Sequence, residues 1–198
     1  MTEHPTSEAY LRLLQVAGEL FAKHGYAAVR LKDIASAAGL HHATLYHHAP
    51  GGKVELFIKS TELGIAQHAE ALAAIMAKYP GDARLKLRGV ASYWFSVSAP
   101  GNLARFLGTD LKSVDPAIAD RLVTAIFEGL MQPVYQALLA GLGRLPTDKD
   151  QQRCRVVASA YIASLQAIVV SRDRPSGVTA EEDADLLIDV LLQGLSAD

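Results

Sequence analysis

Apolar residues recur every three or four positions along almost the whole chain, and strictly alternating segments do not occur in it. This spacing lines one face of an α-helix, whereas a half-buried strand alternates at every second residue. Prolines and glycines interrupt the pattern, as at Pro80-Gly81 and Pro100-Gly101, where helices are expected to end. Pro133 lies inside a periodic segment and should kink it. The sequence therefore predicts an all-α fold of about nine helices, two of them capped by Thr147 and Thr179.

The composition limits the class of protein. Half of the 198 residues are apolar, which is enough for a sizeable core, and the net charge of -2 provides no general attraction to polyanions. A surface that binds nucleic acid must therefore be local. The single cysteine, Cys154, cannot form an internal disulfide and fits a reducing compartment. We find no signal peptide and no uninterrupted apolar run of ~18 residues, so we expect a cytoplasmic protein without a membrane span.

Two short segments, LKDIASAAG and HHATLYHH, have the layout of a helix-turn-helix. Ala35 is small enough to let two helices cross closely, and Gly39 can adopt the positive φ that stops the first helix. The side chains predicted to fill the wedge beneath the two helices are Ile34, Leu40 and Leu45. Those predicted to remain exposed on the second helix are His41, His42, Ala43, Thr44, Tyr46, His47 and His48. Such a face of small and hydrogen-bonding groups fits a DNA major groove.

The four histidines between positions 41 and 48 allow other interpretations. Metal ligands on a helix need spacings of three or four residues, but these histidines are one, five, six or seven apart. His41 and His48 share a face but lie ~10 Å apart along the axis, too far for one ion. Acid–base catalysis would need a partner nucleophile or a cleft, which the motif does not supply. We therefore predict no metal and no catalytic site here, while simple solvated histidines remain an alternative to DNA contact.

The stretch LLQVAGELFAKHGYAAVRLKDIASAAGLHHATLYHHAPGGKVELF resembles the amino-terminal DNA-binding domain of the TetR family of bacterial transcription regulators. The resemblance is carried by Ala17, Phe21, Gly25, Ile34-Ala35, Ala38-Gly39, Leu45-Tyr46, His48, Lys53 and Leu56. It implies a three-helix DNA-binding domain at residues 1–52 and a larger helical ligand-binding and dimerisation domain at 53–198. It further implies a homodimeric, ligand-responsive repressor of a palindromic operator, with neither catalytic activity nor a cofactor.

The resemblance also assigns roles in DNA contact. The implied contact set is His41, His42, Ala43, Thr44, Tyr46, His47, His48 and Lys53. His42, Ala43 and Thr44 would face bases, and Thr44, Tyr46 and His48 would also lie near phosphates. Lys53 would contact the backbone at a helix amino terminus, where main-chain N–H groups favour a phosphate.

Two features depart from the family pattern. Ala49 stands where members usually carry an aromatic residue, and the link PGGK is one residue longer than usual. These departures put the placement of Lys53 in doubt. They are the only support for an alternative function, a helical ligand carrier or enzyme that keeps a vestigial helix-turn-helix.

For the larger domain, the resemblance implies an effector pocket and a four-helix dimer interface. The aromatic and Met residues that could line a pocket are Trp94, Phe95, Phe106, Phe127, Met131 and Tyr135, although such residues often belong to a core. Arg105 and Glu128 are the nearest charged candidates, so a small, mostly apolar effector is expected. The residues predicted for the interface are Tyr161, Leu165, Ile168, Leu187, Ile188, Leu191 and Leu195, because the last helix is apolar over a wide arc.

Overall fold

The computed structural model describes residues 8–97, 103–171 and 175–196, and for His42 it describes the backbone alone. The helices are α1 (Glu8–His24), α2 (Leu31–Ala38), α3 (His42–His48), α4 (Gly52–Lys78), α5 (Ala83–Ser96), α6 (Leu103–Gly108), α7 (Pro116–Ile126), α8 (Gln132–Gly141), α9 (Asp148–Val170) and α10 (Ala180–Ser196). A π-helical turn, Phe127–Met131, connects α7 and α8, so that Pro116–Gly141 is one continuous helical stretch. The described residues therefore form nine separate helices and a short 3₁₀ turn, Asp110–Ser113, with no strand among them. The all-α prediction is confirmed.

Pro133 is accommodated by the π-helical turn that precedes it. A proline has no N–H to donate, and its ring clashes with the carbonyl four residues earlier, here that of Gly129. The wider π turn ends at Met131, and α8 then begins with Pro133 near its start. The expected disturbance of the helix is therefore a local widening of its hydrogen-bond ladder.

The predicted helix caps at Thr147 and Thr179 are present. The Thr147 hydroxyl accepts a hydrogen bond from the Asp150 N–H at 3.2 Å, and the Asp150 carboxylate accepts from the Thr147 N–H at 2.9 Å. Thr179 and Glu182 form the same reciprocal pair at 3.1 and 2.8 Å. Both pairs satisfy N–H groups that a helix start leaves without an intrahelical acceptor.

The chain divides into two compact units. The amino-terminal unit comprises Met1–Gln67 and Gly101–Ala125, and the carboxyl-terminal unit comprises His68–Pro100 and Ile126–Asp198. The first unit thus contains α6 and most of α7 in addition to the predicted helix-turn-helix. The functional boundary after residue 52 stays a prediction, because compactness alone does not assign a function to a segment.

Arg105 lies in the amino-terminal unit, where it caps the carboxyl end of α1. Its guanidinium donates hydrogen bonds to the carbonyls of Phe21, Ala22 and Lys23, which the end of a helix leaves without partners. The guanidinium also lies 3.3 Å from the carboxylate of Asp110, which is almost fully buried and accepts from the Tyr26 N–H at 2.9 Å. Within this unit, Arg105 is therefore a structural cap.

We expect replacement of Arg105 by methionine to lower the free energy of unfolding by about 3 kcal/mol. Methionine keeps most of the apolar stem, but the buried Asp110 carboxylate loses its cation and the α1 carbonyls lose their donors. Urea denaturation followed by circular dichroism measures the change. Lys112→Met, on the exposed side of the 3₁₀ turn, is the matched control. Equal stability of both variants would contradict the capping role.

The carboxyl-terminal unit packs α5 against α8, α9 and α10. Tyr161 of α9 is fully buried, and its hydroxyl donates a hydrogen bond to the Leu87 carbonyl of α5 at 2.7 Å. This burial, with the Asp185 carboxylate as a second cause, raises the pKa of Tyr161 well above its ordinary value. The phenol therefore stays neutral, and its hydrogen bond holds α9 against α5 within the carboxyl-terminal unit.

Two helical stretches, Pro116–Gly141 and Asp148–Val170, are long and apolar enough to cross a membrane by length and composition. Length and composition alone do not show that either stretch crosses a membrane, and the expectation of a protein without a membrane span stays a prediction. Core helices satisfy the same criterion, and both stretches bury fully enclosed side chains, among them Leu122, Val134 and Leu165. Their apolar character is consistent with packing inside a protein.

Candidate nucleic-acid interface

The turn between α2 and α3 reverses the chain at Gly39. This glycine has φ +68°, a left-handed conformation that residues with a Cβ rarely adopt. Its N–H donates to the Ser36 carbonyl at 3.2 Å, and the Leu40 N–H donates to the Ala35 carbonyl at 2.9 Å. These bonds close the end of α2 as the sequence predicts.

The apolar side chains predicted to pack beneath α2 and α3 form a buried cluster, which we call the apolar wedge. Ile34 and Leu45 are completely buried, Ala35 is nearly so, and Leu40 packs at the edge of the same cluster. The cluster also contains the apolar face of α1, with Leu13, Leu14, Ala17 and Phe21. Because both short helices bury their inner sides in this cluster, the outer side of α3 faces solvent.

The outer side of α3 carries small and hydrogen-bonding groups. The predicted contact residues that are exposed there are His41, Ala43, Thr44, Tyr46 and His47. His48 is half-buried, and its ring centroid lies 6.2 Å from that of Tyr10 in α1. The side chain of His42, the first residue of α3, lies outside the described part of the structure. The absence of a metal site at these histidines stays a prediction.

Tyr10 adjoins this surface, although the sequence reasoning missed it. Burial, and then the carboxylates of Glu55 and Glu62, raise the pKa of Tyr10 above its ordinary value, so the phenol stays neutral. Its position three and four residues before the buried Leu13 and Leu14 could have shown that it borders the same apolar face.

The longer link PGGK is accommodated by Gly52, its second glycine. Gly52 has φ +65°, which lets α4 start immediately after the turn. Ala49 is completely buried in the cluster beneath the helix-turn-helix. The small side chain therefore occupies a core position, and α3 forms in full despite both departures from the family pattern.

The contacts of Lys53 and Glu55 at the amino terminus of α4 differ from those that the sequence predicts. The Glu55 carboxylate accepts a hydrogen bond from the Gly51 N–H at 2.7 Å, so an acid already occupies part of the position expected for a phosphate. The Lys53 ammonium lies 4.2 Å from the centre of the Tyr26 ring and 3.4 Å from the Ala27 carbonyl. Partial burial lowers the pKa of Lys53 below its ordinary value. The cation is thus held against the protein surface beside the terminus.

Residues 13–59, which run from α1 through the helix-turn-helix into α4, match the family model described as bacterial regulatory proteins, tetR family. This stretch is a TetR-family domain. The match agrees with the resemblance seen in the sequence of the same residues. Among curated proteins, no sequence is significantly similar to the chain.

Solved TetR-like structures share the fold over nearly the whole chain. AibR, crystallised with isovaleryl coenzyme A and operator DNA, superposes with a TM-score of 0.69 at 18% identity, covering 93% of this chain and 98% of AibR. FadR from Bacillus subtilis, in complex with stearoyl-CoA, gives 0.66 at 18% identity and covers 93% and 98%. PfmR from Thermus thermophilus gives 0.63 at 24% identity and covers 92% and 97%. At these identities the likeness establishes the fold alone.

The six predicted pocket residues are divided between the two compact units. Phe106 belongs to the amino-terminal unit, where its ring lies 5.8 Å from that of Phe57. The other five belong to the carboxyl-terminal unit. Of these, Trp94 and Met131 are buried, whereas Phe127 is exposed. Their role in binding an effector stays a prediction.

Several residues predicted for the dimer interface are instead buried within the protomer. Tyr161, Leu165, Ile188 and Leu195 are each at most 5% exposed in the single chain, so they have little area left to bury against a second copy. Ile168, Leu187 and Leu191 are half-buried. The physical reason is helical phase, since one residue along a helix turns the side chain by about 100°, and the sequence does not show which apolar side faces the chain's own core.

The neighbouring side of α9 and α10 is apolar and exposed. We call it the outer face, and its residues are Val156, Ala160, Ala163, Ala167, Val170, Leu186 and Val190. Val156 is 63% and Val190 is 58% exposed. Between them lies an open groove of about 430 Å³, which Val157, Leu191 and Leu195 also line. An exposed apolar surface of this kind is typical of a protein interaction site.

Proposed function

We propose that the protein is a homodimeric repressor that binds a palindromic operator and releases it when a small effector binds. The observation that carries the proposal is the outer side of α3. It is a polar helix surface without acidic side chains, held on a buried apolar wedge. Such a surface can enter the major groove and donate hydrogen bonds to base edges and phosphates.

The proposed division of contacts follows the position of each residue. His42, Ala43 and Thr44 begin α3, and the first turn of a recognition helix is the part that reaches bases. Tyr46 and Thr44 are exposed and suited to phosphate contact, and the half-buried His48 borders them. His41 and His47 flank this surface. Lys53 lies beside it at the start of α4 and would reach a phosphate by leaving the Tyr26 ring.

We propose that the outer face forms the dimer interface. Its alanines allow two helices to approach closely, and its valines and Leu186 supply apolar area that is unfavourable in water. A symmetric pair would let α9 and α10 of each copy form a four-helix interface. Two-fold symmetry then places two copies of α3 on half-sites about one DNA turn (~34 Å) apart and requires a palindromic operator.

Ligand-bound relatives support an effector. AibR and the Bacillus subtilis FadR were crystallised with acyl-coenzyme A thioesters. In this chain we propose a small, mostly apolar effector that prefers the conformation that does not bind the operator, since only a difference in affinity between conformations shifts the equilibrium. A protein that acts on chromosomal DNA in this way works in the bacterial cytoplasm.

Selection of DNA from a random library by the purified protein tests this function. We expect enrichment of a palindrome with half-site centres about ten base pairs apart, bound by one dimer in a gel shift. Recovery of no enriched sequence, or of a single half-site bound by monomers, would contradict the proposal.

Replacing Glu55 with glutamine is expected to strengthen operator binding about fivefold. Glutamine keeps the acceptor for the Gly51 N–H and removes a negative charge beside the expected phosphate. If the carboxylate and the phosphate lie roughly 8 Å apart in water, their repulsion is about 0.5 kcal/mol, and a dimer contains two such pairs. Fluorescence anisotropy at fixed salt measures the change, with Glu181→Gln on exposed α10 as the matched control. Unchanged or weaker binding would show that no phosphate lies near this terminus.

A further inference from the structure

His68, Tyr93 and Trp94 form a cluster of hydrogen-bonding aromatic residues inside the carboxyl-terminal unit. We call these three residues the His68 cluster. His68 lies on α4, and the other two are adjacent on α5. The His68 ring centroid is 5.5 Å from that of Trp94, and its Nδ1 atom lies 2.8 Å from the Tyr93 hydroxyl.

The indole N–H of Trp94 is buried without an acceptor. Trp94 is 5% exposed, and its Nε1 atom contacts no hydrogen-bond acceptor in the described part of the chain. An indole nitrogen can only donate. Because buried polar groups in native proteins are nearly always paired, an unpaired indole N–H indicates that another molecule completes the site.

The pairing of His68 with Tyr93 leaves a second donor. Burial lowers the pKa of His68 below its ordinary value, so the imidazole is neutral at physiological pH. A neutral imidazole and a phenol together carry two polar hydrogens, and the bond between them uses one. If the phenol donates to Nδ1, the remaining hydrogen is on Nε2; if Nδ1 donates, it is on the phenol.

The surroundings select a neutral acceptor. Leu72, one helical turn after His68, and Val90, one turn before Trp94, are completely buried. A carboxylate placed beside these apolar groups and a neutral imidazole would lose its hydration without gaining a cation. A carbonyl oxygen has two lone pairs, accepts two hydrogen bonds and carries no net charge. It therefore matches two donors in an apolar setting.

We propose that the His68 cluster binds the carbonyl oxygen of an apolar ester, thioester or ketone, with Trp94 Nε1 and the His68–Tyr93 pair as donors. This inference rests on the proposed function, because it names the chemical class of the effector. It also identifies the part of the chain that recognises the polar end of that molecule.

Trp94 is the only tryptophan of the chain, so its emission reports directly on the site. We would titrate the full-length protein, without DNA, with methyl octanoate, octane, sodium octanoate and octylammonium chloride. The expected result is a shift of tryptophan emission and binding of the ester about tenfold tighter than binding of octane, because only the ester supplies a carbonyl acceptor. Ester binding no tighter than octane binding, or octanoate binding tighter than the ester, would overturn the proposal.

Two variants locate the contact. Tyr93→Phe keeps the tryptophan reporter but removes either the second donor itself or the partner that fixes the imidazole tautomer, so it should reduce ester binding several-fold while leaving octane binding unchanged. Trp94→Phe, followed by calorimetry, should reduce ester binding to the level of octane.

Tyr79→Phe, in the same unit but outside the cluster, is the control and should bind the ester like the unmodified protein. If circular dichroism shows that Trp94→Phe does not fold, the emission shift and Tyr93→Phe still decide the result. Ester binding unaffected by Tyr93→Phe would place the ligand elsewhere and overturn the proposal.

The outcome is separable from that of the proposed function. Ester binding is measured without DNA, whereas the repressor function is measured by selection of an operator. A protein that selects a palindrome but does not distinguish ester from octane contradicts only the assignment of the His68 cluster. A protein that binds the ester but selects no DNA contradicts only the repressor function.

Discussion

Replacing Val156 and Val190 together with glutamate is expected to convert the protein to monomers and to abolish specific operator binding. Both side chains are more than half exposed, and they line the groove between α9 and α10. A symmetric interface contains each substitution twice, so four carboxylates would have to lose their hydration beside apolar groups, with one Arg153 from each copy lining the same groove. We expect the dissociation constant of the dimer to rise at least a hundredfold.

Analytical ultracentrifugation measures the association, and a gel shift on the selected palindrome measures its consequence. Leu145→Glu is the control, because Leu145 is 92% exposed in the α8–α9 loop, outside the outer face. The double variant should retain its helical content, since both positions lie on the solvent side of their helices. A double variant that still sediments as a dimer would move the interface to another surface.

Replacing Tyr46 with phenylalanine is expected to weaken operator binding about a hundredfold. Tyr46 is 44% exposed on the outer side of α3, so the loss of its hydroxyl leaves the apolar wedge unchanged. A hydrogen bond to a charged phosphate contributes about 1.5 kcal/mol or more, and a dimer loses two of them. The more drastic Tyr46→Ala should abolish the gel shift.

Anisotropy titrations on the palindrome and on unrelated DNA separate the possible causes. If Tyr46 contacts a phosphate, Tyr46→Phe should weaken binding to both DNAs, because phosphate contacts carry no sequence information. Tyr79→Phe, at the residue that follows α4, should bind like the unmodified protein. Equal affinity of Tyr46→Phe and the unmodified protein would exclude the hydroxyl from the contact.

The helix-turn-helix could be predicted because its determinants are local. Gly39 is needed where φ is positive, and Ala35, Ile34 and Leu45 follow spacings that place them on one side of two short helices. The caps at Thr147 and Thr179 are local for the same reason, since each joins residues three positions apart.

The contacts of charged and polar side chains at longer range could not be predicted in this way. Arg105 was expected near an effector, but it caps α1, more than 80 residues earlier in the chain. Lys53 lies over Tyr26, and the unpaired indole of Trp94 becomes visible only when α4 and α5 are placed together. A long side chain reaches whichever partner the packing brings close, and periodicity contains no information on that partner.

The sequence by itself determined the helical class, the reversal at Gly39 and the TetR-family domain at residues 13–59, since these depend on residues close together along the chain. Only the tertiary structure decided which apolar side of α9 and α10 is core and which is exposed. Both sides are apolar, and one residue of helix rotates a side chain by about 100°. Burial of Tyr161 against α5 selects the inner side and leaves the outer face, with Val156 and Val190, in solvent.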